Sequence, residues 1–329
     1  MDISVYQNIW FFIIGFLLTV YSILDGFDLG IASLMPALAK NEKEQKQVMD
    51  SIWPVWDGNE VWLITGGAAL FAAFPFAYAT VFSGFYLALM LVLFALIFRA
   101  VSMEFWYYDE KRRKLWAWAF TIGSFLPSLL FGVALGNIIY GIPIDLNMNF
   151  TGSFFTLLRP FPLVIGLLGL SAILLQGCTW AAYKIEGDVA RRAKALMNKL
   201  IIANAFLFIL AIALTIGFLP SIVSNLSGWL GALVYAISLS YVYVCNRDNR
   251  SFNAFMGSSV SFVSLWIMAG AALYPNLVRS TIEAYNLTIF NASSTQLTLK
   301  IMFIIALIGM PVVLAYTIYV YKVFKGKVS

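Results

Sequence analysis

The sequence predicts an all-α polytopic membrane protein with nine transmembrane helices, and three observations support this prediction. Of the 329 residues, 61% are hydrophobic and only 11% are charged, whereas soluble proteins carry about 45–50% apolar and about 25% charged residues. The apolar residues fall into nine segments, each close to the roughly 20 residues that a helix needs to cross a bilayer. Backbone groups in lipid must be hydrogen bonded within their own segment, which favours helices. The predicted spans are 8–34, 54–75, 79–101, 115–137, 161–183, 200–220, 228–245, 255–275 and 300–322.

No linker or low-complexity stretch separates these spans, so residues 1–329 are predicted to form a single membrane domain. The motifs LDGFDLG and LQGCTWA end the first and the fifth span in a similar way. This similarity indicates a repeat of four spans, 1–4 and 5–8, followed by one extra helix.

The composition also excludes several kinds of protein. Two cysteines are too few for disulfides to stabilise a chain of this length, which excludes a disulfide-rich fold. Cys178 and Cys245 are therefore expected to pack as small apolar side chains. The chain has no histidine, the commonest metal ligand, and we therefore expect its own side chains to bind no metal or haem. The net charge of +5 is spread over short loops, which is not the pattern of a nucleic-acid-binding protein.

The basic residues predict the orientation in the membrane, because loops rich in Lys and Arg stay in the cytoplasm. Seventeen of them lie in the loops after odd-numbered spans or in the C-terminal tail, and the other side has three. The seventeen are Lys40, Lys43, Lys46, Lys111, Arg112, Arg113, Lys114, Lys184, Arg191, Arg192, Lys194, Lys199, Arg247, Arg250, Lys322, Lys325 and Lys327, and the three are Arg159, Arg279 and Lys300. The N-terminus is therefore predicted outside and the C-terminus in the cytoplasm.

Two carboxyl groups lie inside the first span. Asp25 is about 24 Å from Ile9 along the helix, within a hydrocarbon core of about 30 Å, and Asp28 follows on the same face. Gly26 and Gly30 are four residues apart, a spacing that lets another helix approach closely. The alternative is that the helix has already left the membrane at this point. Only the sixteen uncharged residues from Ile9 to Leu24 precede Asp25 within the span, however, which favours an intramembrane acid facing the bundle interior.

The second span begins with the string WPVWDGNEVW, which contains Trp56, Asp57 and Glu60. In one interpretation the two acids cap the helix N-terminus and the tryptophans form an interfacial belt. The apolar run from Val61 to Phe74 is only fourteen residues long, too short to span. The helix must therefore include Asp57 and Glu60 within the membrane boundary, as Pro54 in its first turn also indicates.

Arg99 ends the apolar run of the third span. An arginine that snorkels from a helix end is an ordinary alternative. The first three spans nevertheless place their ionisable groups at the same cytoplasmic depth. We therefore predict that Asp25, Asp28, Asp57, Glu60 and Arg99 form one polar cluster that opens to the cytoplasm, with some carboxyl groups ionised and others protonated. Such a cluster is typical of a proton path.

Several longer motifs resemble the smaller subunit, subunit II, of cytochrome bd-type quinol oxidases. The resemblance is carried, in order and spacing, by LDGFDLG, WPVWDGNEVWLITGGAALFAAFP, FSGFYLALMLVLFALIFRAVSMEF, GVALGN, LLRPFPLVIGLLGL and LLQGCTWAAYKIEG. These motifs cover about residues 8–190, and beyond them the resemblance consists mainly of hydropathy and span count. The string WDGNEVWL is the most specific, because it joins rare residue types inside a membrane segment.

The resemblance implies a role in a bacterial inner-membrane enzyme that oxidises quinol and reduces dioxygen to water. Three haems and the quinol-oxidation loop would belong to the larger partner, subunit I, and this chain would not be catalytic alone. It would fold as two four-helix bundles plus one peripheral helix, stabilise the complex and conduct cytoplasmic protons towards the oxygen-reducing haem. The family's acid, Trp-Asp and Arg positions match Asp28, Trp56, Asp57 and Arg99, with Asp25 and Glu60 adjoining them. A structural quinone, lipid and small accessory subunits are further expected partners.

Two other functions are compatible with the residues. A proton-coupled secondary transporter also has buried acids near glycine-interrupted helices, but its site lies near the bilayer midplane, whereas these acids gather at one edge. A purely structural assembly subunit would share the fold, and neutralising its acids would affect only the yield of the complex.

Overall fold

The computed structural model describes residues 2–329, and its architecture is helical. The helices are α1 (Ile3–Ser33), α2 (Met35–Leu38), α3 (Glu42–Asp50), α4 (Trp56–Ala73), α5 (Pro75–Gly84), α6 (Tyr86–Tyr108), α7 (Arg113–Tyr140), α8 (Pro160–Lys184), α9 (Asp188–Phe218), α10 (Pro220–Val223), α11 (Leu226–Arg247), α12 (Ser251–Leu273) and α13 (Gln296–Val323). Short 3₁₀ turns occupy Glu110–Arg112, Phe154–Leu157 and Glu283–Tyr285.

Within residues 2–329, eight helices are long and apolar enough to cross a membrane: α1, α6, α7, α8, α9, α11, α12 and α13. The prediction of an all-α polytopic membrane protein is therefore confirmed at this level. The second predicted span corresponds to α4, which is not one of the eight. It has only 18 residues, and its first two turns carry Asp57, Asn59 and Glu60, which lower its apolar character.

The third and sixth predicted spans differ most from the observed helices, and the third is divided between α5 and α6. The third span was expected at 79–101, but α5 begins at Pro75 and α6 runs on to Tyr108. Pro75 suits a first turn and cannot continue the preceding helix, so it sets the start of α5. The sixth span was expected from residue 200, whereas α9 begins at Asp188, because the basic residues before the apolar run are good helix formers.

A small antiparallel sheet departs from the all-α prediction. Its strands, β1 (Asn276–Val278) and β2 (Leu287–Thr288), lie in the loop between α12 and α13. Val278 and Leu287 are buried in the same hydrophobic cluster as Tyr6 and Phe74. The loop thus covers the end of the helices near the N-terminus of α1, and strands this short have too few residues for a recognisable alternating pattern.

The centre of the molecule is the crossing of α1 and α8. A Cβ atom on Gly30 would lie 2.1 Å from the backbone oxygen of Ile173, and one on Gly177 would lie 2.3 Å from the carbonyl carbon of Gly30. The two backbones therefore touch, and only glycine fits at either position. The predicted close approach at Gly30 is confirmed, whereas a Cβ atom on Gly26 would lie 3.8 Å from the ring of Phe262, an ordinary van der Waals contact.

The other helices pack around this crossing. Helix α1 contacts α4, α7, α12 and α13, helix α6 packs on α7, and α8 contacts α7, α9 and α12, with α11 against α12. Helix α13 touches α1 and α4, and Leu299 is its one buried residue. At the basic end, ion pairs of 2.6 Å join α3 to α7, through Glu42 and Arg113, and to α9, through Glu44 and Arg192.

Candidate functional site

A cluster of charged and polar side chains is buried between α1, α4 and α6. We call it the charged cluster, and its members are Asp25 and Asp28 of α1, Asn59 and Glu60 of α4, and Arg99 of α6. The side chains of Asp25, Asp28 and Arg99 are fully buried, and that of Glu60 is 24% exposed. Asp25 and Asp28 share a face of α1 because they are three residues apart.

Arg99 holds the cluster together. Its Nη2 atom lies 2.8 Å from Asp25 Oδ1 and 4.0 Å from Asp28 Oδ2, and its Nη1 atom lies 2.8 Å from Glu60 Oε1. The planar guanidinium suits this role because its forked donors can bind carboxylates on two helices at once. Three carboxyl groups thus face a single cation, so two negative charges would have no cation of their own if all three were ionised.

Asn59 and Tyr321 belong to the same hydrogen-bonded network, although the sequence analysis did not select them. Asn59 Nδ2 donates to Asp28 Oδ2 at 2.7 Å and to the backbone oxygen of Leu24 at 3.3 Å. The hydroxyl of Tyr321, on α13, donates to Asn59 Oδ1 at 2.8 Å. Asn59 stands within the WDGNEVW string and could have been found there, whereas Tyr321 comes 262 residues later and has no sequence signal.

Trp56 and Asp57 take different positions from each other. The indole of Trp56 is half-buried, with Arg99 Cζ 5.9 Å from its ring centroid, a cation–π geometry. Asp57 is exposed and, among residues 2–329, has no ion-pair partner, so the structure does not bring it to Arg99 with the other three predicted acids. At 3.6 residues per turn, Asp57 points about 200° away from Asn59, and it shares instead the outward face of α4 with Glu60.

Four buried polar atoms around the charged cluster have no hydrogen-bond partner within residues 2–329. They are Asp25 Oδ2, Asp28 Oδ1, Arg99 Nε and the hydroxyl oxygen of Tyr21. Such atoms can bind water or exchange a proton. The unpartnered atoms thus include hydrogen-bond donors and acceptors. Their presence in one cluster permits proton transfer among its members.

A second buried cluster lies between α8 and α12 and carries no charge. We call it the neutral polar cluster, and its members are Gln176, Thr179, Ser258 and Ser259. Gln176 Nε2 donates to Ser259 Oγ at 3.0 Å and to the backbone oxygen of Ile23 at 3.2 Å. The hydroxyls of Thr179 and Ser258 are 2.9 Å apart. Gln176 and Thr179 belong to the LQGCTWA motif, whose similarity to LDGFDLG was noted above.

Neither cluster has the composition of a metal centre. Within residues 2–329, no group of three or more His, Cys, Asp or Glu side chains is arranged to hold a metal ion. Cys178 and Cys245 are buried and free, in the apolar core that α8, α11 and their neighbours share.

Comparison with known proteins agrees with this architecture over the whole chain. The family described as cytochrome bd terminal oxidase subunit II matches residues 6–324. Cytochrome bd-I ubiquinol oxidase subunit 2 of Escherichia coli K12 is 33% identical, covering 100% of this chain and 97% of the relative. Cytochrome bd ubiquinol oxidase subunit 2 of Bacillus subtilis 168 is 31% identical, covering 98% and 97%.

A solved structure has the same fold. A chain of the bd oxidase from Geobacillus thermodenitrificans superimposes with a TM-score of 0.82 at 16% identity, covering 97% of this chain and 98% of that one. The family match also extends well past residue 190, where the recognisable motifs end. The buried ion pairs, the helical architecture and the full-length match together lead to one conclusion: the chain belongs to the cytochrome bd terminal oxidase subunit II family.

Proposed function

We propose that this chain is subunit II of a membrane quinol oxidase, in which it supports the haem-bearing subunit I and supplies a cytoplasmic proton path. The support for the oxidoreductase role is the family membership and the relatives, two of which are named as ubiquinol oxidase subunits. The reaction is quinol oxidation coupled to reduction of dioxygen to water. The chain is not catalytic alone, because the three haems belong to the partner subunit.

One observation supports the proton path more than any other: three carboxyl groups, two of them fully buried, share one buried guanidinium. Reduction of dioxygen to water takes up one proton for each electron, and unbalanced charge at a buried haem is costly in a medium of low dielectric constant. A cluster that retains protons and has free acceptor atoms can relieve this cost. Replacing those protons from the cytoplasm would keep the cluster neutral.

The proposed path leaves the cluster along α4. Glu60 is the least buried of the cluster's carboxyl groups, and Asp57 lies one turn away on the same exposed face. We assign this face to subunit I, so that protons pass from Asp25 and Asp28 through Glu60 to Asp57. Arg99 and Trp56 keep the carboxyl groups in position through the ion pairs and the cation–π contact.

The proposal includes nine spans, with α4 as the ninth. Its acidic first turns can lie at membrane depth because Arg99 pairs with Glu60 and Asn59 is hydrogen bonded to Asp28. The contacts among helices support two four-helix bundles, α1, α4, α6 and α7 in one and α8, α9, α11 and α12 in the other, with α13 peripheral. The basic loops support an external N-terminus and a cytoplasmic C-terminus in a bacterial inner membrane.

A structural quinone fits an apolar cavity of about 370 Å³ between α1, α7, α8 and α12. Tyr21 lines this cavity, and its buried hydroxyl lacks a hydrogen-bond partner in residues 2–329. A quinone carbonyl would accept from that hydroxyl, while the isoprenoid chain would contact the apolar walls. Membrane quinol for turnover would bind at subunit I, and lipid and small accessory subunits would contact the exposed apolar surface.

The experiment that tests the proton path is Asp25→Asn in the assembled complex. Because the substitution keeps the shape of the side chain but removes its exchangeable carboxyl proton, we expect oxygen consumption per haem to fall at least about tenfold. The measurement is quinol-driven oxygen consumption, normalised to the haem content read from the absorption spectrum. Glu104→Gln, at an exposed acid on α6, is the matched control and should retain the wild-type rate.

Two outcomes would contradict the proposal. If Asp25→Asn lowers only the yield of complex, with an unchanged rate per haem, the chain serves assembly alone. If the chain purifies without a haem-bearing partner, the oxidase role is wrong and a transporter role gains support.

A further inference from the structure

A cavity that the proposed function does not use lies at the basic end of the molecule. Its volume is about 390 Å³, and it is lined by α1, by the segment between α3 and α4, and by the ends of α8, α12 and α13. Three lysines line it, Lys184, Lys322 and Lys325, and within residues 2–329 no Asp or Glu is among its lining residues. Most of the remaining wall is aromatic or aliphatic. The cavity therefore combines positive charge with an apolar interior.

The lysines of this cavity have no negative partner. Lys184 is only 6% exposed, and its Nζ atom donates to the backbone oxygen of Phe324 and lies 5.7 Å from the ring centroid of Trp180. No carboxylate among residues 2–329 forms an ion pair with Lys184, Lys322 or Lys325. A buried ammonium group without a counter-anion is destabilising, so the site favours a bound anion.

The hydrogen-bonding groups at the cavity also indicate an acceptor. Trp180 lines the cavity and is 4% exposed, and its indole Nε1 atom has no hydrogen-bond partner in residues 2–329. Indole and ammonium groups can only donate hydrogen bonds. The hydroxyl of Tyr321 is already committed as a donor to Asn59. A ligand for this cavity must therefore accept hydrogen bonds and carry negative charge.

We propose that this cavity binds the headgroup of an anionic phospholipid. The phosphate would lie among Lys184, Lys322 and Lys325, and the first part of the acyl chain would contact apolar wall residues such as Phe255 and Met256. A lipid is favoured over free phosphate because a free ion has no use for this apolar lining. The basic end of a membrane protein also lies at the level of the headgroups.

The proposed lipid would fix the C-terminal tail. The tail pairs with the end of α8 through a bridge between Ile185 and Val328, and Val328 N donates to the backbone oxygen of Lys184 at 2.8 Å. Lys184 therefore contacts the tail through both its backbone and its side chain. This inference is independent of the proton path, because it depends only on the position of the cavity and its lysines.

The test uses the complex purified with subunit I and stripped of lipid in detergent. Phosphatidylglycerol or phosphatidylcholine is added, and bound lipid is counted by mass spectrometry of the intact complex. We expect one tightly bound phosphatidylglycerol and no phosphatidylcholine. The double variant Lys322→Gln with Lys325→Gln should bind phosphatidylglycerol roughly 30-fold more weakly, since each lysine near a membrane surface contributes about fivefold. Lys300→Gln, an exposed lysine at the opposite end of α13, is the matched control.

Three results would overturn the inference. The double variant could bind phosphatidylglycerol as tightly as the wild type, or both lipids could bind equally well. Inorganic phosphate could displace phosphatidylglycerol at equal concentration, which would make this a free-anion site. Lys184→Gln should also weaken binding, but if it fails to assemble, the double variant at exposed positions still decides the question.

Discussion

The charged cluster and the neutral polar cluster lie on either side of the α1–α8 crossing. Both bury polar side chains between helices, but the first pairs them by charge and the second by neutral hydrogen bonds. The first has Asp25 and Asp28 opposite Arg99, and the second has Gln176 and Thr179 opposite serine hydroxyls. When LDGFDLG and LQGCTWA are aligned, Asp25 stands at the position of Gln176 and Asp28 at that of Thr179. Related motifs thus carry acids on one side and neutral groups on the other.

This difference indicates that charge is not needed to pack the helices. In the neutral polar cluster, amide and hydroxyl hydrogen bonds join the four side chains, and within residues 2–329 only Gln176 Oε1 lacks a partner. Such neutral groups cost little to desolvate compared with ions. The three buried ionisable groups of the charged cluster therefore cost free energy without a packing reason. Intramembrane ions of this kind are usually functional. Altering the neutral polar cluster should therefore lower stability alone, whereas altering the charged cluster should also lower activity.

The largest expected effect is that of Arg99→Gln. Three carboxyl groups would lose their one cation, and removing one partner of a buried ion pair costs about 3–5 kcal/mol. We expect little assembled complex, measured as haem absorbance per membrane protein. Adding Asp25→Asn to Arg99→Gln should recover part of the yield, because one uncompensated carboxyl group is removed. A wild-type yield for Arg99→Gln alone would mean that the ion pairs do not stabilise the fold.

Gln176→Leu should give a smaller effect, confined to stability. The side chain loses its hydrogen bonds to Ser259 and Ile23, and interhelical hydrogen bonds in membranes contribute about 0.6 kcal/mol on average and up to about 1.7. The thermal midpoint of the complex should fall modestly, while oxygen consumption per haem stays at the wild-type value. If the rate falls as much as in Asp25→Asn, the contrast between the two clusters is not functional.

Tyr321→Phe should lower stability by about 1 kcal/mol, since Asn59 Oδ1 loses its donor. This loss of stability arises at the contact between α13 and the charged cluster, and thermal unfolding of the complex measures it. Tyr319→Phe, at a 65% exposed position on the same helix, is the control and should unfold like the wild type. Equal midpoints for all three proteins would show that α13 docks without this hydrogen bond.

The smallest effect is expected for an ion pair outside the membrane. The hydrogen bond from Arg192 lowers the pKa of Glu44 below its ordinary value of 4.5. The carboxylate therefore stabilises the fold above about pH 4.5, and this contribution is lost as the pH falls through the lowered pKa. Glu44→Gln should cost at most about 1 kcal/mol at pH 7 and nothing well below the lowered pKa. Thermal midpoints at both pH values check this, and an equal loss at both would exclude the ion pair as its cause.

The sequence predicted the helical membrane fold because lipid imposes a length and composition on each span that local residues must meet. It predicted Asp25, Asp28, Glu60 and Arg99 as neighbours because their depths could be counted from the helix starts. The same counting failed for Asp57, since depth does not specify the side of α4 on which a residue lies. The rotation of that helix is set by packing of Asn59 and Trp62 against α1, which the sequence does not display.

The contacts that the sequence could not predict join distant parts of the chain. Tyr321 reaches Asn59 from the last helix, and Ser294 N reaches the backbone oxygen of Ala73 from the loop before it. Neither involves a rare residue type or a periodic pattern. The sheet of β1 and β2 was missed for a related reason, because its five residues pair only once the surrounding helices bring them together.

The position of both aspartates on α1 has a consequence for biogenesis. This helix precedes α4 and α6 in the chain, so Asp25 and Asp28 are translated before Glu60 and Arg99. The two acids can therefore pair with Arg99 only after α6 has been synthesised. The charges of an early helix are therefore neutralised by a residue that is synthesised later.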